Sequence, residues 1–271
     1  MDKTLALLLA QLSWFVYTPD QEKLVELGGP QMKMFADSGP IPSSFASVFR
    51  YPDKTVAVFK GTVLINPFIT SVKDWITNFK ALLVPWSGPG LVHHGFLSDV
   101  RSILDFVVED LNSGFAPPLY VTGHSQGAGV AAVATKALEL AGIDVTATYT
   151  IAAPLPGDDK FADSVKTPVY RLEFGDDIVP HVPLGGLPLP VEMALKASPQ
   201  LGDLFGSMAT KLGYVAVGDL TYGAPGQPLR INISRKEERE LRLTRARHMA
   251  TAGPNVFKHH LVDPHYLSML R

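Results

Sequence analysis

Tyr120-Val121-Thr122-Gly123-His124-Ser125-Gln126-Gly127-Ala128-Gly129 sets a serine between two glycines, where two kinds of local structure meet. Pro117-Pro118-Leu119 turns the chain into a short apolar strand ahead of it, and residues 129–138 behind it form an alanine-rich helix. A strand, a tight turn with serine at its apex, then a helix is the context that a G-x-S-x-G nucleophile turn requires. Glycine at 123 and 127 has a steric purpose, because a Cβ there would strike the backbones of strand and helix. Ser125 is thereby held out beyond the end of the sheet. The N–H of Gln126 opens the helix beside it, with the helix dipole behind that donor. The competing reading is a glycine-rich turn with an incidental serine; a strand before it and a helix after it favour the nucleophile.

Residues on either side of this turn extend the pattern. Residues 45–51 alternate as a strand does, Pro52-Asp53-Lys54 turns the chain, and residues 55–59 return and end in Lys60-Gly61-Thr62. Asp74-Trp75-Ile76 opens a helical segment reaching about Leu83. Residues 98–112 form a long amphipathic helix, with Val100, Ile103, Leu104, Val107, Val108 and Leu111 on one stripe. Beyond the central helix come a buried strand at 145–152, a short helix at 158–164 and a strand at 169–174. Gly175-Asp176-Asp177-Ile178-Val179-Pro180 leaves the end of that strand. Strands alternating with helices at this spacing specify an α/β fold, with a mostly parallel central sheet and helices on both faces. Reactive groups then belong on loops at the carboxyl ends of the strands, where Thr62, Ser125 and Asp177 all fall.

The remaining segments are less regular. Residues 4–18 are an apolar first helix and residues 21–27 a short helical piece. Residues 184–208 are apolar and proline-rich and read as an insertion folded over the site. Residues 214–220 and 229–234 suggest a closing hairpin. Residues 235–247 are dense in both signs of charge, which reads as a solvated helix face.

The chain of 271 residues suits one large domain. With 46% hydrophobic and 18% charged residues it builds a large core readily. A net charge of −2 argues against a nucleic-acid partner, which needs a basic face. There are no cysteines, which excludes disulfides, thiolate metal sites and cysteine nucleophiles. The start Met1-Asp2-Lys3 is not that of a signal peptide, and no Ala-x-Ala site follows it. The uncharged stretch at 4–18 is shorter than the roughly 20 residues that span a bilayer. The expectation is a soluble chain with no clear signal peptide or transmembrane segment, either cytoplasmic or secreted after loss of a signal. His93-His94 lacks metal-ligand spacing, and Gly127-x-Gly129 lacks the third glycine of a phosphate loop, so no metal and no cofactor is expected.

A serine hydroxyl is a weak nucleophile until a base takes its proton and a carboxylate orients that base. For the acid the candidates are Asp176 and Asp177, and Asp177 is preferred because Ile178-Val179-Pro180 anchors it at the core rim. For the base, His181 reads as a packed neighbour and His248 as an exposed helix residue. Asp263-Pro264 has the form of a helix N-cap and first position, which sets His265 in a first turn and His260 in the loop before it. His265 is favoured, with His259 and His260 as alternatives. The oxyanion hole takes one donor from the N–H of Gln126 and a second from the Gly61-Thr62 loop.

The pattern resembles the class 3 lipases. Val58-Phe59-Lys60-Gly61-Thr62 is similar to the family's F-R-G-T oxyanion segment, and Asp74-Trp75 to its D-W pair. Val92-His93-His94-Gly95-Phe96 matches V-H-x-G-F, and Gly123–Ala128 is similar to G-H-S-L-G-G. Asp177-Ile178-Val179-Pro180-His181-Val182-Pro183 matches D-x-V-P-H-x-P, in which the first Asp is the family's triad acid. The resemblance implies a single α/β-hydrolase domain over 1–271 and ester hydrolysis without a cofactor, with Ser125 and Asp177 in the triad and Thr62 and Gln126 as the oxyanion donors; His265, favoured above, completes the expected triad. It also implies an apolar lid at about 63–74, whereas the insertion at 184–210 has no counterpart in the family; the apolar character of both segments suggests transient contact with a lipid interface. The sequence departs from the family at Gln126, where the family has Leu, and at Ala128, where it has Gly. The family's fungal ending has Tyr three residues after its His, whereas Tyr266 directly follows His265 and lies six beyond His260. The substrate expected is an acylglycerol or other fatty-acyl ester. A phospholipase A1, an aryl or feruloyl esterase, and a non-catalytic lipid- or partner-binding scaffold are the alternatives. Nothing in the sequence fixes the oligomeric state.

Overall fold

The structure is a computed structural model that describes residues 1–39, 43–61, 82–182, 213–252 and 258–271. Thr62, the lid expected at 63–74 and the insertion expected at 184–210 lie outside the described residues.

The chain begins with α1 (Lys3–Phe15), capped by the Asp2 carboxylate, which accepts from the N–H of Leu5, and α2 (Gln21–Glu26). Next come β1 (Gln31–Ala36), β2 (Phe45–Tyr51), β3 (Lys54–Lys60) and the small pair β4 (Leu83–Pro85) and β5 (Leu91–His93). Then follow α3 (His94–Asn112), β6 (Leu119–His124), α4 (Gln126–Leu140), β7 (Ala147–Ile151), α5 (Asp159–Ser164) and β8 (Val169–Phe174). The last elements are β9 (Asp219–Gly223), β10 (Arg230–Ile233), α6 (Arg235–Ala252), a wide turn (Val262–Tyr266) and α7 (Leu267–Leu270).

Eight strands form one sheet in the order β1-β2-β3-β6-β7-β8-β9-β10. From β3 to β9 every pairing is parallel, and antiparallel strands lie outside that block at both edges. The expected mostly parallel sheet is present. The Tyr120–Gly123 segment is near its middle because strands buried on both faces carry continuous apolar runs. In β3, Val56 and Val58 pack toward α1, while Ala57 and Phe59 pack into the core under α3 and α4. That division follows from the two-residue period of a strand. The helix α4 is apolar almost all round and is buried along most of its length. On α3 the predicted stripe holds, with Val100, Ile103, Val107 and Leu111 buried. Its N-cap is His93, whose Nδ1 accepts from the N–H of Gly95 at 3.1 Å.

Two readings need correction. β1 had no counterpart in the sequence pattern: it is an edge strand with no fully buried residue, so its side chains show no clean alternation. And α6 is not a solvated helix on every side, since Arg245 is 1% exposed. Arg171 and Glu173 of β8 are buried side by side and demand charged partners, which α6 supplies. No described helix is long and apolar enough to cross a membrane.

Leu9 of α1 is wholly buried between the sheet and the C-terminal elements. Leu9→Ala is expected to cost about 2–5 kcal/mol of stability, measured as a lowered urea midpoint.

Candidate active site

Register sets the site. Phe59 of β3 stands opposite Gly123 of β6, so Gly61 and Ser125 lie abreast two residues further on. A Cβ on Gly123 would come 2.3 Å from the Gly127 carbonyl oxygen, and one on Gly127 would come 2.3 Å from the Phe59 carbonyl oxygen. No side chain fits at either position. The turn forces Ser125 to φ 58° and ψ −130°, a strained backbone for a residue with a side chain. Its N–H is fixed by the Ile151 carbonyl at 3.0 Å, and its own carbonyl accepts from the N–H of Ala128 at 2.9 Å. Gln126 is the first residue of α4, so its N–H is at the positive end of the helix. Its side-chain Nε2 donates to Asp99 Oδ2 at 2.8 Å. Gly61 is hydrogen-bonded through its backbone to the hydroxyl of the half-buried Tyr17.

The histidine that reaches Ser125 is His260. Its Nε2 is 2.8 Å from Ser125 Oγ, and its Nδ1 is 2.9 Å from Asp177 Oδ2 and 3.1 Å from Oδ1. A carboxylate only accepts, so Nδ1 carries the proton and Nε2 receives the serine hydroxyl. Both His260 and Asp177 are 0% exposed. The favoured His265 is a correction. Tyr266 faces Asp177 and donates to its Oδ2 at 2.7 Å, and His265, next to it in the wide turn, faces elsewhere. The His265 ring stacks on Phe174 with centroids 5.2 Å apart, and burial beside His259 holds its pKa below the ordinary value. His259 is also outside the set: its Nδ1 accepts the N–H of Asp176 at 2.9 Å. Asp176 turns its carboxylate toward His248, 3.8 Å from Nδ1, so Asp177 alone of the pair meets a base that reaches the serine.

Buried carboxylates must be hydrogen-bonded. Asp177 Oδ1 also accepts from the N–H of Val179 at 2.9 Å, which the expected 178–180 anchor supplies. The Tyr266 hydroxyl accepts the N–H of Phe174 at 3.2 Å as well as donating to Asp177. Burial, with Asp177 beside it, raises the Tyr266 pKa well above the usual phenol value, so it stays a donor. Tyr266, six residues after His260, thus meets Asp177 directly. His124 adds a contact the sequence did not signal: its Nε2 lies 2.9 Å from the His260 carbonyl oxygen, so that nitrogen carries the proton. Burial, with His260 next to it, lowers the His124 pKa well below its ordinary value and keeps it neutral.

A second buried set adjoins Asp177. Glu173 receives Arg171 Nη1 at 2.6 Å and also pairs with Arg245. Arg171 reaches Glu238 at 2.8 Å, and Arg242 reaches Glu238 at 2.9 Å. The His181 side chain lies among these groups, where burial and the Arg245 and Arg242 cations hold its pKa far down.

The fold and this Ser–His–Asp arrangement define an α/β-hydrolase with a buried, serine-centred site. Residues 56–186, a little under half of the chain, match the family model for class 3 lipases, a match that supports a carboxylic ester hydrolase. No curated protein sequence matches the chain. Among solved structures, a lipase from Rhizopus microsporus var. chinensis is similar, at 21% identity and a TM-score of 0.64 over 87% of this chain and 80% of that one. Lipase II from Rhizopus niveus matches at 20% identity and a TM-score of 0.61, over 81% of this chain and 80% of that one. A triacylglycerol lipase whose catalytic centre is described as a serine protease triad matches at 20% identity and a TM-score of 0.60, over 81% and 79% of the two chains.

Glu173 gives a pH prediction. Burial would raise its pKa, but the three arginines outweigh that and hold it far below the ordinary 4.5. A depressed folded pKa contributes stability above the unfolded value and loses it as pH falls below about 4.5. Urea unfolding from pH 6 to pH 3 should therefore show a steep loss in the wild type. Glu173→Gln, less stable at neutral pH, should show a flatter decline.

Proposed function

We propose that the protein cleaves acylglycerol or other fatty-acyl esters through an acyl-enzyme intermediate, with Ser125, His260 and Asp177 as its triad. The observation that carries this is the unbroken hydrogen-bond chain from Ser125 Oγ through the His260 ring to the Asp177 carboxylate. Ser125 Oγ attacks the ester carbonyl carbon as His260 Nε2 takes its proton. Asp177 stabilises the imidazolium and holds its tautomer. The tetrahedral oxyanion is received by the N–H of Gln126 and by Thr62, whose assignment rests on the F-K-G-T motif. Collapse of the intermediate breaks the bond to the alcohol, which leaves with the proton from His260. Water, deprotonated by the same nitrogen, then releases the fatty acid and restores Ser125.

The apolar segments 63–74 and 184–210 support an acyl-chain substrate and transient contact with a lipid interface, as do the lipase names of the solved relatives. A non-catalytic scaffold would leave its last histidines out of reach of the serine, and His260 at 2.8 Å speaks against it.

Hydrolysis of p-nitrophenyl esters from C2 to C16 tests the reading. Ser125→Ala and His260→Ala should each lower kcat by more than about a thousandfold, while His265→Ala should stay within a few-fold of wild type. Turnover surviving in Ser125→Ala, or lost in His265→Ala alone, would overturn the assignment.

A further inference from the structure

The Gly175-Asp176-Asp177 turn is gripped from several sides. The Asp177 side chain is held by His260, Tyr266 and Val179, and the N–H of Asp176 is held by His259. Two further contacts come from beneath, on the main chain. The Tyr222 hydroxyl of β9 donates to the Gly175 carbonyl at 3.3 Å. Arg245 Nη2 of α6 donates to the Asp177 carbonyl at 3.1 Å, while its Nη1 is bonded to Glu173 Oε2. The Arg245 guanidinium also lies 5.2 Å from the centre of the Tyr222 ring.

Arginine suits this position because its planar fork can hold a carboxylate with one nitrogen and a carbonyl with another. Lysine would offer a single point of attachment. A buried ion pair contributes little net stability compared with apolar side chains of similar volume. Pairing the buried Glu173 therefore accounts for only one arm of the fork. The second fork arm explains the choice: it ends on the residue that orients the base. α6 is also the last described element before the segment that carries His260, so Arg245 ties the acid turn to the element leading to the base.

We infer that Arg245 is a positioning residue for the triad, whose guanidinium, braced on Glu173, fixes the main chain of Asp177 and with it the orientation of His260. The inference rests on the triad proposed above. It assigns to the charged helix a role in catalysis exerted through Asp177, without contact to substrate.

A merely structural ion pair and a positioning contact differ in what they change. Arg245→Lys keeps the charge and loses the fork, and should lower kcat about tenfold to a hundredfold with KM within twofold of wild type, as a small misplacement of a catalytic group does. Arg242→Gln loosens the same ion cluster without touching Asp177, and should lower the melting temperature while kcat stays within twofold. The low-field proton resonance of the His260–Asp177 hydrogen bond should shift or broaden in Arg245→Lys and stay in place in Arg242→Gln. Should Arg245→Lys fail to fold, the double variant Glu173→Gln/Arg245→Gln removes both charges of the pair, and it should fold with kcat still at least tenfold down. Wild-type kcat in either folded Arg245 variant would overturn the inference. So would an unmoved proton resonance in Arg245→Lys. Activity persisting in Ser125→Ala would instead overturn the triad reading, so the two failures are distinguishable.

Discussion

At the serine turn three stretches of backbone meet with no space for a methyl group between them. The Phe59 carbonyl of β3 and the Gly127 carbonyl of α4 each lie 2.3 Å from where a Cβ on Gly127 or Gly123 would be. This close approach lets α4 start directly against the end of β6 and forces Ser125 into its strained backbone. The strain persists because the surroundings over-determine it: Ile151 holds the serine N–H, and the central strands fix the register. Ser125 is placed by steric exclusion in the frame, and its position then governs which histidine can reach it.

The second constraint is the burial of Asp177. A carboxylate taken wholly out of water must have its acceptor sites filled, and here they are filled from three separate parts of the chain. Val179 is local, His260 lies beyond α6, and Tyr266 lies in the turn before α7. The C-terminal segment is thereby folded back onto the end of β8, and its apolar residues Val262, Tyr266, Leu267 and Leu270 complete the core on the α1 side of the sheet. One set of contacts serves both stability and chemistry.

The family match spans residues 56–186, whereas the structural likeness to fungal lipases covers 81–87% of the chain at about one residue in five identical. The difference has a physical cause. Motif residues sit where backbone approach or hydrogen bonding admits one residue type, so they persist as readable sequence. The flanking strands and helices need only an apolar face of about the right volume, which many sequences satisfy.

The sequence by itself determined the α/β alternation, the two-faced strands, the glycine turn around Ser125 and the local anchoring of Asp177. All of these are local: periodicities of two and 3.6, a steric requirement at two glycines, and an aspartate anchored by its next three residues. Which histidine meets the serine was decided by tertiary structure alone. His259, His260 and His265 lie within seven positions, and nothing in their spacing says which faces inward. Tyr266 takes Asp177, which leaves His265 against Phe174, and His259 is spent on Asp176, so His260 reaches the serine. The same holds for Arg245: a charged residue in a charged helix reads as solvated until the buried Glu173, 72 residues away, is placed beside it. Contacts between residues far apart in the chain leave no period and no local signature, so they are settled only when the sheet brings their partners together.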